Sequence, residues 1–289
     1  MKKWTNILIY TSFVFLFIYL IRQDYVQPEI KSIPYLISSI VLLFSGFVVS
    51  TFSWRRALIK NGKTISHSTA IRSHGMSVFT KYIPGKIWVI LGRASAIASD
   101  KDEVKKFSFI SFQEQMIYLW TGFIISLIPS LLFVKEIWIN LSLVVTIVGL
   151  SFFLFVPWFN QMMSRILKKL SKKDLNIPSM SFKSNLAIIV STFWIWLFWT
   201  SSFYCFGKSL SDDFYWHMSF AFPLSVCLGL LAIFLPGGLG LREGIITSFL
   251  HYCGLDLVLA STIAFSNRLC FISGEVFIFL LALFQPKQD

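Results

Sequence analysis

The sequence predicts an all-α integral membrane protein, a polytopic helical bundle of about seven or eight membrane helices, and three observations carry that prediction. The chain is 55% hydrophobic and 17% aromatic but only 14% charged, against about 25% charged in a soluble domain. Several apolar stretches reach the ~20 residues that a helix needs to cross hydrocarbon. Those stretches, such as 137–156, lack the polar–apolar alternation of a membrane β-barrel strand. Backbone groups in lipid must bond internally, so helices are the remaining choice.

The elements follow in chain order. Span one covers about residues 5–21 and imitates a secretory signal, but Ile21-Arg22-Gln23-Asp24 replaces a small-residue cleavage site, so a retained span is expected. Span two runs over about 34–53 and stops at Trp54-Arg55-Arg56. A long basic stretch, 55–106, comes next. Within it, Tyr82 to Ala98 is apolar enough to dip into the membrane, and His67 to Thr80 reads as an amphipathic surface helix. Spans three and four cover about 107–134 and 137–157, and a second basic loop carries Arg165, Lys168, Lys169, Lys172 and Lys173. Span five is about 183–206 and span six about 214–235. A glycine-rich break, a short helix of about 242–252 and a last span of about 256–284 complete the chain, which is expected to form one domain over residues 1–289.

The net charge is +12. The basic residues lie in loops beside spans, which fits positive-inside topology and anionic headgroups rather than nucleic acid. This distribution places loops 55–106 and 158–182, and with them the N-terminus, on the cytoplasmic side of the inner membrane. Two topologies fit the end of the chain. If 236–252 is re-entrant, the C-terminus lies outside; if it crosses, the C-terminus lies inside.

Several chemistries have no support in the sequence. The four cysteines form no CxxC pair and the four histidines have no metal-ligand spacing, so neither metal nor cofactor is expected. Gly238-x-Gly240 follows an apolar run too long for a strand and is no dinucleotide fingerprint. No Walker sequence, nucleophile elbow or HExxH is present, and no vote for an enzyme emerges.

Two breaks resemble each other: Tyr82-Ile83-Pro84-Gly85-Lys86-Ile87-Trp88 with Gly92-Arg93, and Leu235-Pro236-Gly237-Gly238-Leu239-Gly240-Leu241-Arg242-Glu243-Gly244. Each sets Pro-Gly at the edge of an apolar stretch with an arginine a few residues on. Their spacing, about half the chain, hints at an internal duplication of the kind transporters use. Proline removes a donor and glycine frees φ, so the helix stops at the second break and restarts near Leu241. The new helix start and Arg242 form a candidate phosphate site; a plain interfacial turn is the alternative. Lys86, Arg93, Gly237, Gly238, Gly240, Arg242 and Glu243 are the candidate lipid- or phosphate-binding residues. Glu114, Asn267, Arg268 and Glu275 fall inside spans, where polar groups either pair structurally or mark a path. Arg268 and Glu275 lie two turns apart on one helix face, about 10 Å by helix rise.

These two motifs, with Trp54-Arg55, Asn267-Arg268 and Glu275, resemble the lysylphosphatidylglycerol synthase transmembrane-region family, whose members are also described as flippase-like membrane proteins. The resemblance covers nearly the whole chain. It implies a helical domain that handles lipids, in some members flipping an aminoacylated phosphatidylglycerol made by a separate soluble domain. The chain ends at Asp289, directly after the last span, so aminoacyl transfer is not expected of it. The resemblance implies an anionic membrane lipid or a polyprenyl-phosphate-linked glycan as the partner, translocated across the cytoplasmic membrane. The alternative is a non-catalytic subunit or scaffold that serves separate cell-envelope biosynthetic enzymes.

Overall fold

Three of the long helices begin where the sequence supplies a cap or a proline. In the computed structural model, which describes residues 29–83, 87–156, 182–232 and 235–286, helix α1 (Ile33–Lys60) starts with Pro34 in its first turn, where a missing N–H costs nothing. Helix α4 (Lys101–Phe133) is capped by Asp100, whose carboxylate accepts from the Asp102 and Glu103 N–H groups at 2.8 and 2.7 Å. The last helix, α9 (Leu257–Leu283), is capped in the same way by Asp256. Helices α5 (Ile137–Phe155) and α6 (Phe182–Leu210) complete a set of five helices, among the described residues, that are long and apolar enough to cross a membrane. Span one, the basic loop from 157 to 181 and Lys86 lie outside the described residues.

Between these long helices the chain makes two broken hairpins. The first consists of α2 (His67–Ser77), a 3₁₀ turn (Val78–Tyr82) and α3 (Ile87–Ser95). The second consists of a 3₁₀ turn (Trp216–Phe220), α7 (Ala221–Leu231), the Pro236–Gly238 turn and α8 (Leu241–Tyr252). The stretch 67–80 is therefore no surface helix. Gly75 brings α2 against the Ile278 backbone of α9, where a Cβ would collide. Span six does not cross either. The stretch from Trp216 to Leu231, a 3₁₀ turn rising about 2.0 Å per residue and an α-helix rising about 1.5 Å, reaches about 26 Å, short of the ~30 Å core, and α8 then turns back.

Two contacts fix that return. The backbone N–H of Lys135, in the α4–α5 turn, donates to the Tyr252 hydroxyl at 3.1 Å, and Phe133 stacks on His217. The second hairpin thus starts and finishes at the end of the bundle where α4 ends. The first hairpin belongs to the opposite end: Arg72 donates to the Gln285 carbonyl at 2.8 Å, just past the end of α9, and Lys63 pairs with Glu103 at 3.1 Å. The C-terminal end of α9 consequently lies at the end where α4 begins.

The duplication suggested by the two Pro-Gly breaks extends to whole elements. α1 has 28 residues and α6 has 29; each leads into a broken hairpin and then into a long helix, α4 or α9. α1 and α6 run antiparallel, with Lys31 N donating to Ser209 O at one end and Arg56 to Ser191 Oγ at the other. The two units are therefore inverted. Their packing is reciprocal, because α2 lies on α9 as α7 lies on α4, and α1 lies on α9 as α6 lies on α4. The core at this junction is aromatic. Gly46 admits Trp199 and Gly122 admits Trp196, positions where a Cβ would collide with the indole, while Phe47, Trp199 and Phe271 meet at centroid distances of 5.0–5.2 Å.

Candidate functional site

The two hairpin tips meet, and the charges of the bundle interior gather there. Tyr82 ends the first hairpin's inward arm, and its ring lies against Gly237 in the second break. Gly237, Gly238 and Gly240 have φ of 58°, 71° and 80°, a region that glycine enters without steric cost. Arg268, on α9, touches both tips. Its Nη2 donates to the Tyr82 hydroxyl at 3.2 Å and to the Gly237 carbonyl at 3.1 Å. Arg268 is eleven residues into α9, about 16 Å from the helix start and so close to mid-membrane.

Around this point stand three cations and two carboxylates. Tyr82 donates to Glu275 Oε2 at 2.8 Å, and Lys81 forms an ion pair with the other Glu275 oxygen. Arg268 and Glu275 share a helix face and do not bond each other directly; the Tyr82 hydroxyl bridges them. Glu243 lies 3.5 Å from Arg268 Nε, and its second oxygen accepts from the Gly240 N–H at 2.8 Å. The start of α8 is thus capped by its own Glu243 carboxylate. All of these side chains except Lys81 are buried.

Arg242 differs from its neighbours. It is only 6% exposed, yet its Nε meets no hydrogen-bond partner, and among the described residues no carboxylate lies within ion-pair distance. Its stem crosses Gly229 and Gly238, and its guanidinium lies over Phe271 and Phe222 at 5.0 and 5.6 Å. Aromatic faces attract a cation, by about 2 kcal/mol when desolvated, but they do not use its N–H donors. Arg242, Glu243, Ile246, Ala264, Asn267 and Arg268 line a cleft too narrow to admit a water-sized sphere, so the tips are closed.

The other sequence-predicted residues sit elsewhere. Arg93 and Glu114 form a buried ion pair with each other, 2% and 6% exposed. Arg93 also donates to Ser111 Oγ and to the Ser111 carbonyl, and stacks at 4.4 Å on Trp54. Trp54 in turn donates to Ser73 at 3.1 Å. This cluster ties α1, α2, α3 and α4 together. The structure does not bring Arg93 and Glu114 into the group around Arg242, and Lys86 lies outside the described residues.

Lys81 and Tyr82 are site residues that the sequence did not single out. Their signal was position: a cation and a phenol immediately before a Pro-Gly break, in an apolar setting.

Compared with known protein families, residues 4–272 match the lysylphosphatidylglycerol synthase TM region, and no curated protein matches the chain. The match spans both hairpins, the long helices as far as residue 272 and the charged residues of the tips other than Glu275, so the chain belongs to the lysylphosphatidylglycerol synthase transmembrane-region family and is a multi-pass, lipid-related membrane protein.

Proposed function

We propose that this protein translocates an anionic lipid, and that the headgroup passes between the two hairpin tips with its phosphate held by Arg242. The observation that carries this reading is the buried Arg242 guanidinium, which has aromatic rings around it but, among the described residues, no carboxylate within ion-pair distance. A buried cation is costly unless paired, and such a group at membrane depth usually serves a pathway. Three cations against two carboxylates leave room for one negative charge. A phosphodiester meets that need, whether it belongs to a phospholipid or to a polyprenyl-phosphate-linked glycan.

The mechanism follows from the inverted hairpins. One opens to each end of the bundle, and the closed cleft between them separates the two ends. Parting one tip exposes Arg242 to one leaflet; parting the other exposes it to the opposite leaflet. Glu243, Asn267, Arg268, Lys81, Tyr82 and Glu275 then hold the closed arrangement between these states. Gly237, Gly238 and Gly240 supply the backbone shape at the moving tip. In this reading Arg93–Glu114 is a fixed brace within the first unit. The basic end, with Arg55, Arg56, Lys60, Lys101 and Lys105, faces the cytoplasm by the positive-inside rule, and the membrane is the inner one.

The test is reconstitution into liposomes with a fluorescent anionic phospholipid, a labelled polyprenyl-phosphate sugar and a zwitterionic control, each followed by sided quenching. The wild type should speed the exchange of one anionic lipid, and Arg242→Gln should slow it by roughly tenfold or more, the loss of one charge-assisted contact. Equal rates in the two proteins would refute the assignment of Arg242. No acceleration of any lipid by the wild type would favour a subunit that works only with separate biosynthetic enzymes.

A further inference from the structure

A second, separate place on the molecule has the chemistry of a lipid site. α1 and α6 cross in antiparallel fashion, and on their outer face a groove of about 310 Å³ opens between them. Val49, Phe52 and Arg56 form one wall and Ser191, Trp194 and Phe198 the other. On each helix these positions follow a spacing of three and four residues, so each triplet forms one continuous stripe. The groove is apolar along its length and polar at one end. Arg56 Nη1 donates to the buried Ser191 Oγ at 2.7 Å, which holds the guanidinium at the mouth while its other donors stay open, because Arg56 is an exposed residue. Arg56 sits four residues before the end of α1, about 6 Å along the axis, at the basic end of the bundle and at headgroup depth. Trp194 is 48% exposed, its ring turned outward beside Phe198.

We propose that this groove binds one anionic glycerophospholipid from the leaflet at the basic end, with its phosphate on Arg56 and an acyl chain lying along Val49, Phe52, Trp194 and Phe198. The charge at one end and the apolar stripe beyond it match the two parts of a lipid in that order. The site is distinct from Arg242, which lies inside the bundle, and it sits over the seam on which the two inverted units pack. A lipid there clamps the α1–α6 pair from outside.

The experiment uses the full chain in liposomes containing phosphatidylglycerol or phosphatidylcholine with a photoactivatable acyl chain, followed by mapping of the labelled peptides. Phosphatidylglycerol should label the 49–56 and 191–198 segments about tenfold more than phosphatidylcholine, the preference expected of a charge-assisted contact. Arg56→Gln should reduce that labelling to the phosphatidylcholine level. Val49→Trp, which fills the groove and keeps the cation, should abolish it. Arg242→Gln should leave it unchanged, which separates this site from the translocation reading. Equal labelling by both lipids, or loss of labelling in Arg242→Gln but not in Arg56→Gln, would overturn the proposal. So would an unlabelled seam in the wild type together with a disulfide between Val49→Cys and a cysteine placed in residues 5–21 or in a second copy, because a protein segment would then fill the groove.

Discussion

At the scale of single residues, the central cluster is held by one hydroxyl. Tyr82 donates to Glu275 and accepts from Arg268, so Tyr82→Phe keeps the ring against Gly237 and removes only the bridge. Hydrogen bonds to charged groups are worth about 1.5–3 kcal/mol each. The variant should lose about that much stability, read as a lower unfolding temperature in detergent. Glu275→Gln removes the carboxylate that serves both Lys81 and Tyr82, and breaking a buried pair costs about 3–5 kcal/mol. It should be the more destabilised of the two, and Lys81→Met with Glu275→Gln should recover part of the loss by removing the stranded cation. An unfolding temperature for Glu275→Gln equal to the wild type would show that the pair does not form. The arginines and glutamates of the cluster were legible in the sequence because charge inside apolar runs is conspicuous. Their grouping was not. Arg93 and Arg242 occupy similar places after similar motifs, yet Arg93 meets Glu114 and Ser111 while the Arg242 guanidinium lies over rings and, among the described residues, pairs with no carboxylate, and which partner comes from α4 or α9 is decided by packing.

The elements show the same division. The five long helices follow from length and hydropathy alone. The hairpins do not, because a hydropathy window over 214–235 sees enough apolar residues for a span and cannot see that α7 stops at Leu231 and α8 returns. The stretch 67–80 misled in the other direction. It is polar enough to suggest a surface helix, but its small residues, Ala70, Ser73, Gly75 and Ser77, are the buried ones, and Gly75 lets α2 approach α9 closely. At the break, Gly237 and Gly240 separate two physical effects. Both have positive φ, where an L-residue costs roughly 1–2 kcal/mol, but a Cβ on Gly237 meets the Tyr82 ring whereas one on Gly240 meets nothing. Gly240→Ala should lose about 1 kcal/mol of stability and retain lipid exchange. Gly237→Ala should lose more and slow exchange as well, because it forces the tips apart. Equal effects of the two substitutions in thermal unfolding and in the liposome assay would remove the tip contact from the argument.

For the whole molecule, the inverted arrangement makes a statement about sides that can be checked without knowing the lipid. A short hairpin that enters and leaves from one end needs a turn buried in protein, as non-helical backbone at membrane depth must be, and Tyr82 and Ile83 before the first break and Gly238 and Leu239 in the second are buried. In this topology residues 212 and 251 share one side of the membrane, and residues 60, 105 and 284 share the other. Had 236–252 crossed after a full sixth span, residue 251 would still lie with 212, but residue 235 would lie with 105. Had 236–252 been re-entrant after such a span, residue 251 would lie with 105, and residue 284 with 212. Single cysteines at Lys60, Lys105, Asp212, His251 and Phe284, in a background with the four native cysteines changed to serine, discriminate these outcomes with a membrane-impermeant thiol reagent applied to intact and to opened cells. Labelling of Asp212→Cys and His251→Cys from one side and of the other three from the opposite side is the expected pattern. A cysteine at Leu235, just before the Pro236–Gly238 turn and at membrane depth, should then resist the water-borne reagent from both sides. If Leu235→Cys labels fully with the Lys105→Cys set, α7 reaches the basic end, the two units are not inverted halves around a shared centre, and a cleft open alternately to each leaflet loses its structural basis.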